Sequence, residues 1–177
     1  MASRTRRFAA VAGATLVALA LTTACTPEPA PTPTPTGFAS EEEAFAAAEA
    51  TYRAYVDALN QVDLSNPATF EPVFELTSGD ASNAIRKELS QMHADGWSVS
   101  GGTEVDLVQP SSEWPADTVT LAVCADVGSV KLVDASGQST IGEDRPPIQS
   151  LTVEIDTSMT PARVKSITGR EGSPACE

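Results

Sequence analysis

The side chains of this sequence that are most able to take part in chemistry are those of three cysteines and a single histidine. If Cys25 serves a separate purpose, Cys124 and Cys176 remain as a pair. Free thiols would make one of them a nucleophile with His93 as its base. In an oxidising compartment the same even pair forms a disulfide. We favour the disulfide because no catalytic cysteine–histidine signature surrounds either residue.

Other candidate acids and bases stand apart from one another. Asp57, Asp106 and Asp126 lie next to apolar positions, and each is expected at a solvated helix or strand surface. His93 falls near a predicted helix end, where a positive charge interacts favourably with the helix dipole. The sequence has no G-x-S-x-G, no G-x-x-x-x-G-K and no calcium-loop pattern. We therefore assign no catalytic residue, no metal ligand and no cofactor.

A basic and then apolar leader precedes Cys25. Arg4, Arg6 and Arg7 form the basic end, and an apolar run from Phe8 to Leu21 follows. The run is too short to span a membrane as a helix and is typical of a secretory signal peptide. The alternative is an ordinary signal peptide that is cut elsewhere and leaves Cys25 incidental.

The segment Leu21-Thr22-Thr23-Ala24-Cys25 resembles the lipobox of bacterial lipoproteins, in which a small residue precedes an obligatory cysteine. Thr22 occupies the position that usually carries leucine. The resemblance implies cleavage before Cys25 and lipidation of that cysteine. Acyl chains would then hold the protein at the extracytoplasmic face of the cell membrane.

Alternating prolines follow Cys25 as far as Gly37. They predict an extended polyproline II stalk of roughly 35 Å, at about 3.1 Å per residue. The expected organisation is a signal peptide over residues 1–24, a lipidated cysteine and proline-rich linker over 25–37, and one domain over 38–177. A domain of that length can bury one hydrophobic core.

The charge of the mature chain limits its partners. Three of the 11 basic residues lie in the leader, so 8 remain against 24 acidic residues, a net charge of 8 minus 24, or −16. A negative net charge argues against nucleic acid as a partner and against adhesion of the domain surface to anionic lipids. The expected partners are the membrane through the lipid anchor, a small apolar ligand or an envelope protein, and a second copy of the chain through the sheet.

The first element of the domain is a predicted long helix. Ser40 and Glu43 form a capping box, and apolar residues then recur at spacings of three and four as far as Leu59. Tyr52 and Tyr55 lie on this apolar stripe. Such aromatic residues are more often core than ligand contacts, although a tyrosine hydroxyl can face a cavity.

Further helices and then strands follow. A short helix is expected to end near Leu76, and a longer one at Gly96, just before Trp97. From Ser98 the apolar period changes to two, which predicts four or five strands. Ser139–Pro147 is expected to be a surface connection between them. Helices first and strands after indicate an α+β fold with an antiparallel sheet.

Four stretches carry a resemblance over nearly the whole domain. They are the lipobox with its stalk, Gly96-Trp97 with Gly101-Gly102, Val119–Cys124 with Asp126, and Gly172–Cys176. The layout is similar to actinobacterial lipoproteins with an NTF2-like, or SnoaL-like, cone domain. The resemblance implies N-terminal helices packed on a curved antiparallel sheet, with a cavity at the wide end. It also implies that Cys124, in the central strand, pairs with Cys176.

Two functions are compatible with this resemblance. The first is an envelope lipoprotein that binds a small apolar ligand or a partner protein without catalysis, with Tyr52, Tyr55 and Trp97 as pocket candidates. The second is a SnoaL-like extracytoplasmic enzyme of isomerase or hydrolase type. Two facing, buried titratable groups would favour the enzyme. A collapsed cavity in a domain that only scaffolds is a third alternative.

Overall fold

The computed structural model describes residues 37–111 and 117–176 of the 177-residue chain. All of them belong to one compact unit, Pro35–Glu177. The predicted signal peptide, Cys25 and residues 26–36 of the predicted proline-rich linker lie outside the described residues. None of the described helices is long and apolar enough to cross a membrane.

In the part of the chain that the structure describes, three α-helices come first: α1 (Glu41–Leu59), α2 (Glu71–Glu75) and α3 (Gly79–Ala94). The predicted cap of α1 is confirmed, because the Ser40 hydroxyl accepts a hydrogen bond from the Glu43 amide at 3.2 Å. The Glu43 carboxylate reaches one residue further than a standard capping box requires. It accepts from the amide of Ala39, at 2.9 Å.

The end of α3 has the predicted geometry. Gly96 takes a left-handed φ of +70°, which glycine adopts without steric cost. The Trp97 amide then donates to the Met92 carbonyl at 3.0 Å, five residues back, as a Schellman ending requires. The Trp97 side chain packs, partly buried, against the hydrophobic core.

Among the described residues, six strands follow the helices, in two antiparallel sheets. They are β1 (Ser98–Ser100), β2 (Glu104–Pro110), β3 (Thr118–Asp126), β4 (Lys131–Val133), β5 (Ile148–Asp156) and β6 (Arg163–Gly169). Four of them form one sheet in the order β2-β3-β5-β6, and β1 pairs with β4 in a second. The predicted α+β class is confirmed, and the described strands do not form a closed barrel.

The core lies between α1 and one face of the four-stranded sheet. Alternate residues of β3 point into it, and Leu121 stands opposite Val153 of β5 in register. From the helix side, Ala48 and Tyr52 are almost fully buried against them. Aliphatic side chains dominate, because the whole chain has only nine aromatic residues.

The opposite face of the sheet is covered at β3 by the C-terminal tail, residues 170–176. Cys124 points to this face and is bonded to Cys176, so the predicted disulfide is confirmed, with its Cα atoms 5.5 Å apart. Arg170 also fixes the tail, since its guanidinium donates to the carbonyls of Leu151 and Gly172. Both contacts hold a segment with few apolar residues of its own.

Candidate functional site

A cavity of about 380 Å³ lies among the end of α1, the segment after it, α3 and the two-stranded sheet. Its volume falls at the lower end of the range of about 300–1,000 Å³ typical of small-molecule pockets. Ten of its lining side chains are aliphatic or Met: Leu59, Val62, Leu64, Ile85, Leu89, Met92, Val99, Val130, Leu132 and Ile141.

Helix periodicity explains why the two helices present apolar walls to the same space. Ile85, Leu89 and Met92 follow the four-then-three spacing that places them on one face of α3. Tyr55 and Leu59, four residues apart, likewise lie on one face of α1. The small sheet stands across from these helices, where Val99 of β1 pairs with Leu132 of β4. Its short strands complete the wall of the cavity.

The two tyrosines of α1 have different positions. Tyr55 lines the cavity, whereas Tyr52, only 2% exposed, belongs to the core and is not among the residues that line it. Their ring centroids are 6.2 Å apart. Trp97, the third pocket candidate, packs against the core and also does not line the cavity.

Burial keeps both phenols protonated. Desolvation, and secondarily the negative charge of Glu88, raises the pKa of Tyr55 to about 12. Desolvation, and secondarily Tyr55, also raises the pKa of Tyr52 above its ordinary value. The Tyr55 hydroxyl has no hydrogen-bond partner among the described residues. Because its pKa is raised, this hydroxyl is uncharged at neutral pH and poorly suited to proton transfer.

Polar groups of the β1–β2 turn form one rim of the cavity. The Asn60 side chain holds Thr103 through two hydrogen bonds to its backbone, of 2.8 and 2.9 Å. Ser129 holds Gly102 in the same two-sided way. Gly101, with φ +77°, approaches the Ser129 carbonyl so closely that a Cβ atom there would collide with it. The rim is therefore a specific backbone arrangement that requires glycine at this position.

Arg145 contributes the only cation among the described residues that line the cavity. It lies in the predicted surface connection Ser139–Pro147, which is largely exposed between β4 and β5 but turns Ile141 and Arg145 inward. The guanidinium Nη2 donates to the carbonyls of Val127, at 2.8 Å, and Val130, at 3.3 Å. Sequence analysis missed this residue. Its only local signal is a lone arginine between two acids and two prolines.

The remaining candidate acids and base do not converge on the cavity. The His93 ring nitrogen Nδ1 lies 2.7 Å from the carbonyl oxygen of Leu64, and the ring packs edge-on against Phe70. Asp57 and Asp106 are exposed, and Asp126 accepts a hydrogen bond from the Gly128 amide. Among the described residues no cluster of histidine, cysteine and acidic side chains could hold a metal ion.

Comparison with known proteins places the chain in no family. No protein-family model matches it, and no curated protein does. Among solved structures it is similar to a de novo designed β-sheet protein determined by solution NMR. The two share 16% identity over 76% of this chain and 94% of that chain, with a TM-score of 0.36. A likeness at that level carries no argument about function.

Proposed function

We propose that this chain is a membrane-anchored extracytoplasmic lipoprotein whose domain binds a small apolar ligand without catalysing a reaction. The observation that carries the proposal is the largely aliphatic cavity beside Tyr55. Concave apolar sites with a few polar groups are the usual form of ligand sites. Burial of an apolar ligand would contribute about 25 cal/mol per Å² of surface removed from water, before the costs of association.

The polar groups at the cavity support binding over catalysis. A general acid or base works best with a pKa near the working pH, and Tyr55 has a pKa of about 12. Among the described lining residues the one carboxylate is that of Glu88, an exposed residue on α3. Burial and the Glu88 charge raise the pKa of Tyr55 to about 12, so these two side chains do not form an acid–base pair suited to neutral pH. A SnoaL-like enzyme would need such a pair in the cavity.

The cone fold is part of the same proposal. Helices that precede an antiparallel sheet, a first helix packed across that sheet, and a cavity between helices and strands are features expected of an NTF2-like domain. The anchor rests on the leader, on Cys25 and on the proline stalk after it. A stalk of that kind would hold an acidic binding domain clear of the membrane surface.

Native mass spectrometry of the protein, extracted from its own envelope, tests the binding proposal. We expect a small molecule that remains bound in the native spectrum and is lost on denaturation. Met92→Trp fills the cavity from α3 and should remove this added mass. Ser90→Trp, at an exposed position of the same helix that does not line the cavity, is the matched control. A wild-type protein without bound mass, or equal retention by both variants, would refute the proposal.

Replacement of Cys25 tests the anchor separately. Cys25→Ala removes the only side chain that the lipobox resemblance would have lipidated. The variant should leave the membrane fraction or accumulate as uncut precursor. A processed variant that stays with the membrane to the wild-type extent would show that another feature holds the protein there.

A further inference from the structure

The apolar walls of the cavity indicate that its ligand is apolar, and the charged side chains around the cavity indicate which head group that ligand carries. We propose that the ligand combines one aliphatic chain with an anionic head group, a carboxylate or a phosphate, and that Arg145 contacts this head group. This inference rests on the proposed function, since it names the chemical class that the same cavity would take.

The first argument is the unused hydrogen-bonding capacity of Arg145. A guanidinium has five N–H donors, and only Nη2 is engaged by the Val127 and Val130 carbonyls. The Nε and Nη1 groups have no partner among the described residues. The two carbonyl contacts fix the plane of the group, so the ordering of the side chain is already in place before a ligand arrives.

The second argument is the missing countercharge. Arg53, on α1, forms an ion pair with Glu49 at 2.9 Å. Arg145 is less exposed than Arg53 but has no carboxylate partner within ion-pair distance among the described residues. Arg163 and Arg170 are also partly buried without an ion-pair partner among the described residues, but of these three cations only Arg145 lines the cavity. An incoming carboxylate or phosphate would supply charge-assisted, bidentate hydrogen bonds to Arg145.

Glu88 is the competing anchor, because a cationic ligand could pair with it. Glu88 is exposed to solvent on α3, so an ion pair between it and a cationic ligand would add little to the affinity. Arg145 is held by the backbone beside the apolar wall of the cavity, which Tyr55 also lines. A cation held in this way and an aliphatic wall fit an anionic amphiphile better than a cationic one.

The net acidity of the chain does not exclude an anion. Repulsion from exposed carboxylates is screened within about 8 Å at physiological ionic strength. A head group in contact with Arg145 therefore responds mainly to that neighbouring cation. The cavity volume of about 380 Å³ also favours a single chain over a phospholipid with two.

Isothermal titration of matched probes tests the inference. The mature chain carrying Cys25→Ala, free of its own acyl chains, is titrated with dodecanoate, dodecyl phosphate, dodecanol and dodecyltrimethylammonium. We expect at least one of the anions to bind about tenfold or more tightly than dodecanol, which has the same chain without charge. The cation should bind no better than dodecanol. The stronger of the two anions then identifies the head-group chemistry.

Variants of Arg145 locate the effect. Arg145→Gln should abolish the preference for the anion over dodecanol, and Arg145→Lys should retain part of it. Arg53→Gln is the matched control, because it removes an arginine that also donates to a backbone carbonyl, that of Val105, away from the cavity. It should keep the full preference.

Each remaining outcome is decisive. Equal binding of anions and dodecanol by the wild type, or a preference that survives in Arg145→Gln, refutes the inference and leaves the proposed function standing. Failure of all four probes to bind refutes the inference, whereas the proposed function is decided by the native mass spectrum. If Arg145→Gln does not fold, the wild-type comparison of each anion with dodecanol and the Arg145→Lys variant decide the question.

Discussion

The side chain of Asn60 forms two hydrogen bonds with the backbone of Thr103. Its Oδ1 accepts from the Thr103 amide at 2.8 Å, and its Nδ2 donates to the Thr103 carbonyl at 2.9 Å. Asn60 caps the C-terminal end of α1, and Thr103 immediately precedes β2. Both residues line the cavity. This one pair therefore ties the first helix to the rim formed by the β1–β2 turn.

Asn60→Ala should lower the free energy of unfolding by about 1–2 kcal/mol, because it removes both hydrogen bonds to Thr103. Urea denaturation followed by far-UV circular dichroism measures the change. Gln61→Ala is the control, since Gln61 is also exposed and donates only to the Asp57 carbonyl within its own turn. Equal unfolding midpoints for the two variants would contradict the role given to this pair.

Gly101→Ala should destabilise the protein by at least about 2 kcal/mol. The change combines a left-handed φ of +77° with a collision between the new Cβ and the Ser129 carbonyl. Gly137→Ala separates the two effects, because Gly137 has a φ of +84° and open space around its Cβ position. Thermal melts of both variants should show a clearly larger loss for Gly101→Ala. Losses of the same size would mean that the close approach to Ser129 is not a constraint.

Cys176→Ser should cost about 4 kcal/mol in the chain-entropy model, because the disulfide closes a loop with a sequence separation of 52. Denaturation under non-reducing conditions measures it, and reduction of the wild type should give the same loss. Cys176 is chosen for this test because Cys124 is buried, and a serine at position 124 would place a hydroxyl in the interior. Thiol titration of the unfolded, unreduced wild type should find neither cysteine free.

Alkaline pH should weaken the folded state through Tyr52 and Tyr55. Burial raises the pKa of Tyr55 to about 12 and also raises that of Tyr52, whereas in the unfolded chain both lie near about 10. Above about pH 10 the unfolded chain releases phenolic protons that the folded chain keeps. The stability from this source is complete below about pH 10 and is lost as the pH rises toward about 12.

Urea denaturation at about pH 8 and about pH 11 measures this dependence. Tyr55→Phe and Tyr52→Phe each remove one phenol and should lessen the loss of stability between the two conditions. An unchanged loss in the variant with both substitutions would assign the alkaline sensitivity to other groups.

Local signals in the sequence were sufficient for the helices. The cap at Ser40 and the glycine ending at Gly96 each involve residues within five positions of one another, so their hydrogen bonds follow from chain geometry. The change of period after Trp97 likewise indicated where strands begin. The disulfide was predictable because the expected lipidation of Cys25 left two cysteines to pair.

The cavity was harder to predict from the sequence than the helices were. The period of α1 assigned Tyr52 and Tyr55 to one stripe but did not distinguish core from cavity, because that depends on what packs opposite each ring. The pairing of Val99 with Leu132 joins strands more than thirty residues apart. Arg145 enters the cavity only because the β4–β5 connection turns back on the β3–β4 turn, and no local pattern records that contact.

The bond between Cys124 and Cys176 closes residues 124–176 into a covalent ring. The exposed acids Glu143 and Asp144 lie inside this ring, on the connection between β4 and β5. A protease that cuts between them would leave two polypeptides still joined through sulfur. The nicked molecule would migrate as one species until it is reduced. Under oxidising conditions, cleavage of this loop would therefore not release β5, β6 or the tail from the rest of the protein.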